Sequence, residues 1–228
     1  YKFLTGLSGV YAITCVGMTQ AMMKVSCLPQ KQNVRRNVIG LTRGLSMNEI
    51  VKGSIADLAQ RNNQSLAESF LSCDCVVLID VSGSMASYDN STKTRYERAC
   101  ESLRNLQQSL EGKIAVVRFS SDVAFEPAGI PNFISGGTNL AKGLQFVKAA
   151  DVPGIRFIVI SDGTPDNPQQ ALSIAKTFKN KIDAIFVGNE LDSGAIAFMN
   201  DLARVSGGKQ VTADSAKISE TARFLLNG

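Results

Sequence analysis

The sequence predicts an α/β chain built on a doubly wound, mostly parallel sheet with one antiparallel edge strand. Three observations carry that reading: short apolar runs, helical apolar periods between them, and a single hairpin signal. Strands are expected at 75–79, 114–120, 157–161, 183–187 and 209–212, all mostly apolar, as in strands covered on both faces. Tyr96, Ala99, Leu103, Leu106 and Leu110 fall at helical spacing, as do Ala171, Ile174, Ala175 and Phe178, and then Ile196, Met199, Leu202 and Ala203. A last helix with Ile218, Ala222 and Leu225 on one face closes the domain. Val123 to Glu126, after the turn at Ser120-Ser121-Asp122, reads as the hairpin and so as the antiparallel edge. Repeated strand–helix units of this size imply right-handed crossovers.

Ahead of this domain, residues 46–72 read as a helical connector. Ser46-Met47-Asn48-Glu49 is a capping box, and Met47, Ile50, Val51, Ile55 and Leu58 make an apolar stripe that predicts a helix over 47–60. Ser65-Leu66-Ala67-Glu68 repeats the capping pattern and opens a short helix into the first strand. These two helices flank Arg61 to Gln64, but the second has no basic residue, which argues against a DNA-reading pair.

Residues 1–45 form a basic, acid-free arm. Residues 1–72 hold eight Lys/Arg against three Asp/Glu, whereas 73–228 hold sixteen against seventeen, so the net charge of +4 belongs to the extension. Residues 3–23 carry no charge, yet Gly, Thr, Ser and Gln interrupt the run and weaken a membrane or signal reading. An acid-poor, Arg-containing leader also fits an organellar transit peptide. Lys31, Arg35, Arg36 and Arg43 are the candidate contacts to an acidic partner or nucleic acid. The plainer reading is a strand or hairpin, with Val10 to Val16 and Met22 to Leu28 packed on the domain or on a second subunit. The chain opens at Tyr1 rather than Met, as expected of a processed or partial product.

The sequence has no histidine, which excludes Ser-His-Asp and Cys-His catalysis, His-ligated zinc and His proton shuttles. Cys15, Cys27, Cys73, Cys75 and Cys100 lack zinc-knuckle spacing and read as buried free thiols in a reducing compartment, the cytoplasm.

The chemistry concentrates at the ends of the expected strands. Asp80-Val81-Ser82-Gly83-Ser84 follows the run Val76-Val77-Leu78-Ile79 directly, delivering one carboxylate and two hydroxyls together. Thr138 lies in the loop Ser135-Gly136-Gly137-Thr138, and Asp162 follows Phe157-Ile158-Val159-Ile160-Ser161. Singly, each segment is ordinary turn or cap chemistry. Together they supply two carboxylates and three hydroxyls to one hard cation. Mg2+ prefers six oxygens, keeps some waters and is usually held by one or two carboxylates, which leaves charge and a position for a carboxylate from elsewhere. Mn2+ or Ca2+ are substitutes for the same donors.

Asp-x-Ser-x-Ser, a Gly-Gly-Thr loop and a strand ending in Ser-Asp-Gly, in this order, resemble a von Willebrand factor A (vWA) domain and its metal-ion-dependent adhesion site (MIDAS). The resemblance covers roughly residues 73–228 and implies a Rossmann-like sheet. It implies that Asp80, Ser82, Ser84, Thr138 and Asp162 hold the metal directly or through water, and that a partner's Glu or Asp completes the shell. It also implies an adaptor or assembly role, since intracellular bacterial members of that family often serve ATPase machines or multi-subunit complexes.

Catalysis is not expected. A haloacid-dehalogenase-type phosphotransferase needs a second Asp two residues after the first, where this chain has Ser82, and Gly136-Gly137-Thr138 lacks Walker spacing. The expected function is therefore Mg2+-dependent, non-catalytic protein binding, with membrane association disfavoured. Two alternatives stay open: a structural subunit of a filament or particle that self-assembles through residues 1–45, and an RNA-associated protein using the basic extension.

Overall fold

The computed structural model describes residues 50–88 and 92–212. The expected arm over 1–45 with Lys31, Arg35, Arg36 and Arg43, the first expected cap at Ser46, Cys15 and Cys27, and the closing helix at Ile218 to Leu225 lie outside the described residues.

All six residues of β1 (Cys75–Asp80) are buried, because alternate side chains enter two different cores. Val76 and Leu78 join one, and Cys75, Val77 and Ile79 join the other. The same alternation divides β2 (Ile114–Phe119), β4 (Arg156–Ser161) and β5 (Ile182–Phe186). A strand with a core on each side cannot show polar alternation, which is why these segments read as continuous apolar runs. Short β3 (Val123–Phe125) and β6 (Gln210–Thr212) complete a six-stranded sheet of order β3-β2-β1-β4-β5-β6. Every pairing is parallel except β2–β3, where Phe119 faces Val123, so the hairpin expectation holds.

Helix α1 is Ile55–Asn62, α2 Leu66–Leu71, α3 Arg95–Ser109, α4 Leu140–Val147, α5 Pro168–Ala175 and α6 Ser193–Ser206. Helices α4, α5 and α6 and Ile55 of α1 pack into the first core, and α3 with Met85 into the second. Capping chemistry sets the starts. Ser65 with Glu68 and Thr94 with Glu97 both form complete capping boxes, so the second sequence-level box holds. Gly207, with φ of 77°, ends α6 in the left-handed conformation that glycine adopts without strain.

The helix expected over 47–60 begins only at Ile55, with Ser54 as its cap accepting from the Asp57 N–H. Gly53 is the reason. It sits at φ +85°, and a Cβ there would lie 2.3 Å from the Gln107 carbonyl oxygen. The chain therefore passes close against α3 before the helix can start, and Val51 reaches the core outside any helix, its N–H donating to the Ala128 carbonyl. Helix α4 was absent from the expected helical periods. Gly143 weakens its signal, and the same glycine lets it sit tightly on Leu78 and Phe119. Cys73, Cys75 and Cys100 are free and buried, and burial pushes the Cys73 thiol up to about 12 and Cys100 up to about 11, which makes both unreactive. Among the described residues, no helix is long and apolar enough to cross a membrane.

Residues 50–71 thus pack as part of the domain. Ile55→Ala, at a side chain only 2% exposed, is expected to cost about 2–4 kcal/mol in urea unfolding. Leu71→Ala, on the exposed end of α2, is expected to stay within about 0.5 kcal/mol. Equal effects of the two substitutions would show that these residues do not dock.

Candidate functional site

From β1 the chain winds to β2 and β3 on one side, then returns to β4 on the other, so strand order reverses between β1 and β4. In open α/β sheets such a switch point leaves a crevice beyond the carboxyl ends of the strands, where ligands bind. β1 ends at Asp80 and β4 at Ser161, with Ile79 paired to Ile160. The register therefore sets Asp80 beside Ser161 and delivers Asp162 on the next residue.

Hydrogen bonds then join four of the five expected site residues in one chain. Asp80 Oδ1 accepts from the Ser82 N–H at 2.8 Å, the Ser82 and Ser84 hydroxyls lie 3.2 Å apart, and the Ser84 hydroxyl donates to Asp162 Oδ1 at 2.7 Å. Val81 and Met85, both fully buried, anchor the segment from below, and the intervening residues turn as a short 3-10 helix over Gly83–Ala86. Thr138 is held at the rim instead. Its N–H donates to Asp166 Oδ1 at 3.0 Å, and its carbonyl accepts from the Asp166 N–H. Its loop is fastened to the first one by Ser135 N–H to the Val81 carbonyl and Gly83 N–H to the Gly136 carbonyl, each 3.1 Å. Ser135 and Gly136 both take positive φ, 68° and 92°, a costly conformation for serine that these bonds maintain.

Sequence reasoning missed four residues that complete this arrangement. The Ser161 hydroxyl donates to Asp80 Oδ2 at 2.6 Å. Arg95 Nη1 donates to Asp162 Oδ2 at 2.7 Å, with the two side chains 11% and 0% exposed. Asp166 and Ser121 position the Thr138 loop, Ser121 by accepting from the Gly137 N–H. One signal for Arg95 was present. It is the first residue of α3, where the helix dipole disfavours a cation, so its placement there calls for a partner elsewhere in the fold.

Every oxygen of the two buried carboxylates therefore has a protein donor. Even so, burial pushes the Asp80 carboxyl up to about 6, against the hydrogen bonds from Ser161 and Ser82 that favour its charged form, while the nearby Asp162 charge adds to the rise. Among the described residues, no group of three or more His, Cys, Asp or Glu is placed to hold a metal ion; the acids in this series are Asp80 and Asp162, accompanied by the Ser82, Ser84 and Ser161 hydroxyls and the Arg95 guanidinium.

No protein-family model matches the sequence, and no curated protein matches it. Solved structures do match in fold. An aerotolerance-related membrane protein from Bacteroides fragilis, carrying multiple mutations to serine, superposes with a TM-score of 0.55 at 16% identity over 67% of this chain and 98% of its own. A von Willebrand factor type A structure from Catenulispora acidiphila gives 0.50 at 18% identity, over 67% of this chain and 41% of that one. The vWF domain of the pilus tip protein Mfa5 from Porphyromonas gingivalis gives 0.50 at 13%, over 67% and 93%. The sheet order, the single antiparallel edge and these likenesses agree: the described chain has the vWA fold.

A carboxyl held above its unfolded value favours the folded state only while protonated. Between the unfolded Asp value near 4 and about 6 the folded protein binds the extra proton, so this contribution is full below pH 4 and is lost as pH rises through 6. Asp80→Asn is therefore expected to stabilise the protein in EDTA by roughly 2–3 kcal/mol at pH 7.5, with little gain at pH 4. Urea unfolding at both pH values checks this, and a pH-independent difference would refute it.

Proposed function

We propose that this chain is a non-catalytic protein-binding module in which Asp80, Ser82, Ser84, Thr138 and Asp162 hold Mg2+ and the ion recruits an Asp or Glu of a partner protein. The observation that carries the reading is the hydrogen-bonded series Asp80–Ser82–Ser84–Asp162, gathered at the switch point of the sheet. The donor set fits the ion. It is all oxygen, with two carboxylates and no thiolate among these residues, and Mg2+ rather than Zn2+ suits such donors. Mn2+ or Ca2+ would be accepted by the same groups. When bound, the ion supplies positive charge and a position for an incoming oxygen, while Ser82 and Ser84 orient the acids and Thr138 shapes the rim.

The surroundings favour a protein partner over a small anion. Phe133 and Ile134, directly before the docked Ser135–Thr138 loop, are exposed, as are Tyr88 after the 3-10 turn and Leu191 after β5. Phe133 is braced by a tilted contact with the Tyr96 ring at 5.2 Å. Such residues offer apolar contact beside a metal-bound carboxylate, which suits an adaptor or assembly component. The buried free thiols are in keeping with a reducing, cytoplasmic setting.

Calorimetric titration is expected to show Mg2+ binding that Asp80→Ala and Asp162→Ala abolish while circular dichroism stays unchanged. Thr138→Ala is expected to weaken partner capture more than metal binding. Capture from native lysate should depend on Mg2+, fail in EDTA and fail with Asp80→Ala; capture indifferent to all three would overturn the reading.

A further inference from the structure

Arg95 is a cation bound directly to one of the two inner acids, Asp162. Asp162 is shared between two donors, with Ser84 on one oxygen and Arg95 on the other, so an arriving metal must share this carboxylate with a resident positive charge. That charge is permanent, because a guanidinium is not deprotonated in proteins. It is also fixed in place. Arg95 opens α3, its backbone N–H donates to the Ser87 carbonyl at 2.9 Å, and the Thr94–Glu97 capping box clamps the same turn. Asp166, a further acid on these loops, is exposed and engaged by Thr138.

The charge balance gives Arg95 two opposite effects. Counted over Asp80, Asp162 and Arg95 alone, two carboxylates against one guanidinium carry one negative charge with no metal, and the buried Asp162 keeps a partner. With a divalent ion added, the same groups carry one positive charge; without Arg95 they would be neutral. The guanidinium thus competes with the metal and yet makes the loaded site attractive to a carboxylate.

Resting on the metal-binding reading above, we propose that Arg95 is the site's resident counter-cation, a positioning residue that holds Asp162 in place before metal binds, keeps metal affinity low and leaves the loaded site cationic. Its removal must therefore move two measurable quantities in opposite directions. A merely structural role would weaken folding and metal binding together.

The test compares wild type, Arg95→Gln and Arg95→Lys by Mn2+ calorimetry and by thermal melts in EDTA and in saturating Mn2+. R95Q is expected to bind Mn2+ on the order of tenfold more tightly, as for removal of a unit charge about 6 Å from a divalent ion at a water-like dielectric. It should melt below wild type in EDTA, with the gap narrowing in Mn2+, because the ion replaces the lost counter-charge. R95K, which keeps the charge, should bind within about twofold of wild type by the same reasoning. A folded R95Q that binds Mn2+ no more tightly than a metal-binding wild type overturns the role of Arg95 and leaves the metal reading standing. An R95Q that stays unfolded even in millimolar Mn2+ also overturns it, since the metal would then be no substitute for the guanidinium. If neither wild type nor a folded R95Q binds Mn2+, the metal reading itself falls and this proposal with it.

Discussion

Two carboxylates buried side by side at the ends of neighbouring parallel strands set the terms for everything around them. Moving an ionised acid out of water costs several kcal/mol unless hydrogen bonds or opposite charge compensate. Each neighbouring feature answers that cost. Ser161 and the Ser82 N–H serve Asp80, and Ser84 and Arg95 serve Asp162. The 3-10 turn that carries Ser82 and Ser84 is in turn held down by Val81 and Met85, whose burial ties the polar site to the apolar core beneath it.

The fold supplies the precision that these short bonds require. Parallel register fixes Asp80 against Ser161, and two-sided packing keeps β1 and β4 from sliding, because a one-residue slip would exchange the contents of both cores. The loops above the strands are joined backbone to backbone, Ser135 to Val81 and Gly83 to Gly136. Side chains on such a frame lose little further freedom on binding a ligand, which favours an assembled site over one gathered by the ligand.

The fold, and the residues that cluster at the candidate site, could be read from the sequence for the same reason. Strands buried on both faces advertise themselves as apolar runs, and Asp80, Ser82, Ser84 and Asp162 stand directly after two of them. Local patterns failed where tertiary contact decides the backbone. Gly53 delays α1 because the chain must clear the Gln107 carbonyl, a contact between residues far apart in sequence. Gly143 masks α4 for a packing reason, since its missing side chain accommodates Leu78 and Phe119. Arg95 escaped because its partner is 67 residues away, and Ser161 because a serine at a strand end looks like the start of a turn. The basic extension stays legible only as composition, and the readings that depend on it rest on sequence alone.

A site kept only for stability would look different. Replacing a buried ion pair with apolar residues of similar volume is often neutral or stabilising, so the pair is weak evidence of a structural role. Here Asp80 is held well above its ordinary value, Ser135 occupies a strained conformation, and exposed aromatic and aliphatic residues sit on the adjoining loops. All of these costs fall at the carboxyl edge of the sheet, at or beside the point where strand order reverses. The strain and perturbed acidity coincide with the location where an α/β sheet offers a ligand site, and that coincidence supports the proposed binding role over a purely scaffolding one.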